Sequence, residues 1–517
     1  MPDGGGGGDN VGSVSSPSVI FGDTTPWRGR IARAGLAAVD RAWRPPAEQV
    51  SEKMDDRATM PRIAGPEDHV VVVGGGFSGA LFAVNLMRHE GPRVTLIERR
   101  DRQLARGVAY SAAHPDHLLN VRAGNMSALP DDPDHFVRWL EARGKGDRKT
   151  FVPRTTYGAY LRELLDAAIA ESDGRLVHVE GEVCAIDPVE GDGVTLTMAD
   201  GRKIAADTAV LALGNLPPHT PPGLKPDALP AGVYYADPWA ADLAEGLGAD
   251  DTVVLVGTGL TAIDAALLLD AQGFAGKILA TSRRGLSPRR HIDGAPAHRG
   301  VSDKPQGGLT DLVRHVRARA AEEGWRCAVD ELRPVTQMLW SAASQEVRGR
   351  FLRHLRPYWD VHRHRLAPAV ADRVEALVAS GRLTFAAGKI VSAEADGTQA
   401  KLTWRPRGQT EPVVTRAARI VNCTGPQGDL LRSEEPLVKH LLAAGAIRPD
   451  PLRLGVDVDA QSRAIRADGM PDDRIHCIGP MTRGGLWEVV AVPDIRVQSW
   501  DLARRLSNAQ WVGGEGL

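Results

Sequence analysis

His69-Val-Val-Val-Val-Gly74-Gly-Gly76-Phe77-Ser78-Gly79-Ala-Leu-Phe-Ala-Val-Asn-Leu-Met-Arg88 is the stretch on which the fold turns. Four consecutive valines read as a strand buried on both faces, and the residues after Gly79 read as a helix. Between them lie glycines at the spacing G-x-G-x-x-G. In a dinucleotide-binding turn the first glycine permits the tight bend, the second lets backbone approach a pyrophosphate, and the third allows close helix–strand packing. The helix start then offers free N–H groups to the diphosphate. The next strand, Val94-Thr-Leu-Ile-Glu98, ends in a carboxylate 24 residues past Gly74, where it can accept hydrogen bonds from ribose hydroxyls. The alternative is a Gly-rich turn beside an unrelated surface glutamate.

The pattern recurs at Thr252-Val-Val-Leu-Val-Gly257-Thr-Gly259-Leu-Thr261-Ala262. Here the second strand, Ile278-Leu-Ala-Thr-Ser-Arg283-Arg284, ends in two arginines where the first unit has an acid. Guanidinium groups can grip a ribose 2′-phosphate that a carboxylate would repel, which predicts NADPH rather than NADH; the plainer reading is two solvated arginines at a strand end. Each half closes on a strand ending in glycine, Thr208-Ala-Val-Leu-Ala-Leu-Gly214 and Ala418-Arg-Ile-Val-Asn-Cys-Thr-Gly425, so the chain repeats one plan twice. One site with a ribose acid and one with arginines predicts FAD in the first and NADPH in the second.

The expected fold is therefore α/β, with two Rossmann-like dinucleotide-binding domains. The FAD domain is discontinuous, 67–215 and 416–510. The NADPH domain spans 216–415 and carries a helical insertion at about 307–380, where strand signals give way to helical periodicity. Residues 1–66 read as a disordered tail and linker, opening on MPDGGGGGDNVGSVSSP. Within them Trp27 to Trp43 has the pattern of a short helix, either packed on the body or lying on a membrane or partner surface.

The whole chain excludes several classes. Of its 517 residues, Lys+Arg number 63 and Asp+Glu 65, a balance that gives no general attraction to nucleic acid or anionic membrane. Cys184, Cys327, Cys423 and Cys477 form neither a CxxC nor a metal-ligand spacing, so no metal site and no redox disulfide are expected. No apolar run is long enough for a membrane helix and no signal-peptide pattern opens the chain, so a cytoplasmic protein is expected, a homo-oligomer being compatible with it.

With these residues in place, the chain resembles a bacterial family of FAD/NAD(P)-binding flavoproteins distantly similar to flavin-dependent N-hydroxylating and Baeyer–Villiger monooxygenases. The resemblance rests on Gly107-Val-Ala-Tyr-Ser, His117-Leu-Leu-Asn120-Val-Arg122, Met126-Ser, Phe151-Val-Pro-Arg154-Thr-Thr-Tyr157, Trp359-Asp-Val-His362-Arg-His-Arg365 and Ile478-Gly479-Pro-Met-Thr482-Arg483. It implies that Asn120, Arg122, Asn125 and Met126 lie over the flavin, with Gly479 and Thr482 on a carboxyl-terminal strand end beside it. Relatives have Gly-Asp at that strand end, whereas Gly479-Pro480 here moves the contact elsewhere, Asp494 being one candidate. Tyr234-Tyr-Ala-Asp-Pro-Trp239 stands where the ketone-oxygenating branch has a His- and Trp-containing fingerprint, which disfavours that branch.

The implied activity is an NADPH-dependent FAD monooxygenase that N-hydroxylates a small amine or amino acid through a flavin C4a-hydroperoxide, with O2 as co-substrate. Arginines and histidines crowd the insertion, and His291, Arg353, Arg356, Trp359, His362 and Arg365 are the candidates for binding an anionic substrate, such as aspartate on its way to nitrosuccinate. The plainer reading of that cluster is a solvated helix face. No catalytic base can be named. An NADPH-dependent flavin oxidoreductase that passes electrons to an acceptor without oxygen insertion is the competing activity, and a nucleotide-sensing protein without turnover a third possibility.

Overall fold

The computed structural model describes residues 67–111, 114–189, 193–239, 242–292 and 307–507. The tail, the linker and the Trp27–Trp43 segment lie outside the described residues. A six-stranded sheet runs in the order β15 (Arg463–Ile465), β16 (Pro471–Cys477), β7 (Thr208–Leu211), β1 (His69–Val73), β2 (Arg93–Glu98), β3 (Leu176–Glu180). All neighbours in it are parallel except β15 and β16. A second sheet runs β13 (Val413–Ala417), β12 (Gln399–Pro406), β11 (Leu383–Asp396), β10 (Lys277–Ser282), β9 (Thr252–Val256), β14 (Arg419–Asn422), β8 (Tyr234–Tyr235). A small antiparallel sheet, β4 (Val183–Pro188), β5 (Val194–Met198) and β6 (Lys203–Ala206), sits beside the first.

The valine runs are apolar throughout because both faces of each sheet are covered. Val70 and Val72 pack on the helices Phe77–Arg88, Arg154–Glu171 and Val492–Leu506, while Val71 and Val73 face the small sheet through Ile186 and Leu196. In the second unit Val253 and Leu255 meet the helices Leu260–Ala271 and Pro368–Ala379, and Val254 and Val256 meet the β11–β12 hairpin at Ile390, Leu402 and Trp404. Each such valine or leucine contributes about 1.5–3 kcal/mol by leaving water.

The two halves share hydrogen bonds as well as plan. The Gly74 N–H donates to Ile97 O and that of Ala212 to Val73 O; in the second half Gly257 donates to Thr281 O and Cys423 to Val256 O. Two boundaries differ from the sequence expectation. β14 pairs with β9 and β8, so the second sheet ends past residue 415 and the chain returns to the first unit only after Gly425. Helix Pro368–Ala379 connects the parallel strands β10 and β11 and packs in the second core. It is therefore the crossover of the dinucleotide fold, and the inserted helices are those from Leu309 to Arg363.

Candidate functional site

At the first turn, Gly74 has φ +100°, and a Cβ there would run into the carbonyl oxygen of Ala212. Gly79 is closed to a side chain by Gly74 O, and Gly76 lies against the backbone of Gly107. Gly76 caps helix Phe77–Arg88 without any side-chain hydrogen bond, which leaves the first N–H groups for a ligand. Glu98 is buried; its Oε2 accepts from the Gly75 N–H at 2.9 Å and its Oε1 from the Arg100 N–H at 3.1 Å. Burial pushes its pKa up and the N–H donors oppose that shift. Each carboxylate oxygen keeps a further lone pair for a ribose hydroxyl.

The segment Gly107–Ser111 crosses this turn, placing the Tyr110 ring edge-on to Phe77 at 6.0 Å. The carboxyl-terminal strand end meets it from the other side. Gly479, at φ +81°, abuts the Ser78 side chain, and its N–H donates to Gln498 Oε1 at 2.8 Å. Thr482 is fully buried, donating its hydroxyl to Gly479 O and accepting from Gln498 Nε2 at 3.0 Å. Its hydroxyl thus shapes the Gly479 turn instead of pointing at a cofactor. Asp494 does not replace the missing acid either, because Arg333 binds its carboxylate. Gln498 holds this turn, and a lone glutamine on an amphipathic helix carried no signal by which the sequence could have marked it.

Residues 117–123 run alongside 150–154 through backbone bonds from Leu119 to Val152 and from Ala123 to Thr150. This ribbon joins the two units. His117 Nε2 lies 3.0 Å from Asp264 O, and Arg154 forms a buried ion pair with the Asp264 carboxylate at 2.8 Å, with Trp239 against both His117 and Arg154. Asn120 and Arg122 face the second unit: His291 Nε2 lies 2.9 Å from Asn120 O, and Arg122 stacks on Phe151 and donates to Ile292 O. Burial lowers the His291 pKa, which favours the neutral ring. Met126 is buried and Asn125 exposed.

At the second turn, Gly257 has φ +133° and is closed by the Cys423 carbonyl, whereas Gly259 has nothing near its Cβ position and leaves the start of helix Leu260–Ala271 open. Thr261 is half-buried in the first turn of that helix. The two arginines separate. Arg283 is exposed; Arg284 bonds the Tyr358 hydroxyl at 3.1 Å and the carbonyls of Arg353 and His354, lying over the Tyr358 ring. Arg284 therefore docks the inserted helices, and Arg283 alone of the pair is available to a 2′-phosphate. Arg283→Ala is expected to raise the Michaelis constant for NADPH roughly 10- to 100-fold, the value of a lost charge-assisted contact, and to spare NADH. Equal losses with both coenzymes in steady-state assays would contradict this assignment.

Several arginines of the basic insertion are neutralised by acids inside and outside it. Arg365 is buried and bidentate to Asp330 at 2.8 and 2.9 Å. Arg363 and Arg333 converge on the buried Glu488, which also accepts from Trp359 Nε1 at 3.2 Å. Arg356 pairs with Asp360 at 3.3 Å, and Arg353 is exposed. His362 stacks on Trp325; burial and the charges of Arg289, Arg365 and Arg326 bring its pKa down to about 4. The expected anion-binding role of Arg365 and Trp359 is thereby corrected, since acids of the chain already occupy their donors. Among the described residues no cluster of His, Cys, Asp or Glu could hold a metal ion, and no helix is long and apolar enough to cross a membrane.

Residues 71–216 match the model of a family described as FAD-NAD(P)-binding. The chain as a whole resembles solved structures that include the ornithine N-hydroxylase of Kutzneria sp. 744, at 17% identity and TM-score 0.58, covering 86% of this chain and 100% of that one. The L-lysine 6-monooxygenase of Pseudomonas syringae gives 16%, 0.57, 86% and 100%, and the cadaverine monooxygenase of Erwinia amylovora 13%, 0.59, 86% and 95%. The chain has a two-dinucleotide-domain flavoprotein fold. No curated protein matches it by sequence.

The residues present fit the groups that this flavoprotein fold implies. Two helix starts without side-chain caps, at Gly76 and Gly259, follow central parallel strands, and each is reached past a glycine whose Cβ would strike a carbonyl. Such paired cradles suit two diphosphates. Glu98 would hold the ribose of FAD, and Arg283 the 2′-phosphate of NADPH.

Proposed function

We propose that the protein is an NADPH-dependent FAD monooxygenase that N-hydroxylates a small amine or amino acid. The observation that carries this reading is the pair of cradles with unlike strand ends, Glu98 in one and Arg283 in the other, in a fold shared over nearly the full length of hydroxylases named for ornithine, lysine and cadaverine. When bound, FAD and NADPH supply the redox chemistry with O2. The chain's own part is orientation and dryness. The ribbon 117–123 with 150–154 and the Arg154–Asp264 pair fix the two cradles relative to each other. Trp340, Trp487 and Leu454 form a buried apolar cluster between the inserted helices and the Gly479 side of the first unit, which excludes water from that end. His291, held on Asn120 O, is favoured there as the neutral ring.

An acidic amine such as aspartate is the finer form of this reading. It loses the support of Arg365, which is already paired, and the three hydroxylases named above concern ornithine, lysine and cadaverine. The test is coupling. With saturating NADPH and a panel of amines, one amine should accelerate NADPH and O2 consumption together and yield a hydroxylamine. NADPH oxidation that ignores every amine but responds to a quinone would instead establish the electron-transferring oxidoreductase.

A further inference from the structure

Arg483 is half-buried and differs from the paired arginines of this region. Arg365 has Asp330, Arg333 and Arg363 have Glu488, and Arg154 has Asp264. The Arg483 side chain forms no ion pair or hydrogen bond among the described residues, and its Nε is shut off from solvent without an acceptor. The charges acting on it are Arg356, which opposes its own, and Asp360, which Arg356 already binds at 3.3 Å. Burial brings its pKa down to about 10, so it stays a cation at neutral pH. A partly desolvated guanidinium with no acid of its own is unfavourable unless an anion completes it.

Its place says which anion. Arg483 directly follows the Gly479–Thr482 turn that abuts Ser78 at the start of the first dinucleotide helix. Arg356 and Asp360 reach it from the inserted helix Arg356–Arg363 of the second unit, with Arg356 over the Trp487 ring at 5.9 Å. The site thus joins the flavin side of one unit to the insertion of the other. The dinucleotide phosphates have their own cradles at Gly76 and Gly259. A planar guanidinium matches a carboxylate in bidentate fashion through its two terminal nitrogens.

We propose that Arg483, with Arg356 beside it, binds the carboxylate of the substrate, so that the amine oxygenated is an amino acid. This rests on the monooxygenase reading. The test uses the FAD-loaded full chain and amine pairs that differ only in a carboxylate, ornithine against putrescine and lysine against cadaverine. The carboxylate-bearing member of the accepted pair should be preferred at least about 10-fold in kcat/KM, and Arg483→Gln should raise its KM roughly 10- to 100-fold. Arg483→Lys should recover part of that loss, while FAD content and anaerobic reduction by NADPH stay at wild-type values in both variants. Equal or better turnover of the decarboxylated member overturns the inference and leaves the monooxygenase reading intact. A higher NADPH constant or lost FAD in Arg483→Gln, with the amine KM unchanged, also overturns it, by assigning the residue to a cofactor. Should the wild type reduce its flavin with NADPH yet oxygenate no amine, both readings fall.

Discussion

Alanine at Gly257 is expected to abolish NADPH-driven flavin reduction while the protein keeps its FAD. Gly257 sits at φ +133°, a conformation that L-residues rarely adopt, and the added Cβ would overlap the Cys423 carbonyl. That carbonyl cannot yield alone, because Cys423 N–H is bonded to Val256 O in the neighbouring strand. The turn must therefore open and carry the start of helix Leu260–Ala271 away from the coenzyme. A displacement of about 1 Å is enough to cost roughly 100-fold in rate. Stopped-flow reduction under anaerobic conditions measures it, with flavin absorbance as the check on FAD. Gly74→Ala, which meets Ala212 O in the same way, should give the converse, a protein that binds little flavin.

Glu488→Gln should destabilise the protein by about 3–5 kcal/mol, the range for removing one partner of a buried ion pair. The substitution preserves shape and the acceptor for Trp359 Nε1, so the loss is that of charge. It leaves Arg333 and Arg363 facing each other with only the more distant charges of Asp494 and Asp330 to offset them, and burial already lowers the pKa of Arg363. Urea denaturation of the FAD-loaded protein reads the change as a lower midpoint. The exposed Asp131 serves as the comparison: Asp131→Asn removes the partner of Arg88 and should cost under about 1 kcal/mol.

Both dinucleotide units were legible because local chemistry specifies them. A strand, glycines at fixed offsets, a helix and a strand-end residue lie within about thirty residues of each other, and the turn geometry at Gly74 and Gly257 follows from that string alone. The position of Glu98 at a strand end beside the Gly-rich turn was legible for the same reason. What could not be read was pairing over long separations. The insertion displayed arginines, but Glu488, which neutralises two of them, lies 125 residues beyond Arg363. Arg284 resembled Arg283 until the Tyr358 hydroxyl took it, and Gln498 gave no sign that it would hold the Gly479 N–H. The late boundary at β14 has a similar cause. A short strand that completes one sheet and a segment that returns to another look alike until their partners are known. Arg483 is the reverse case, since none of the described residues gives its Nε an acceptor.

The central claim is that oxygen from O2 reaches an amine nitrogen at this flavin site. The most direct measurement is turnover under 18O2 with NADPH and the amine that best accelerates NADPH oxidation, followed by mass analysis of the product. One 18O atom in a hydroxylamine is the predicted result. An unlabelled amine recovered intact, with the label only in peroxide or water, would contradict it.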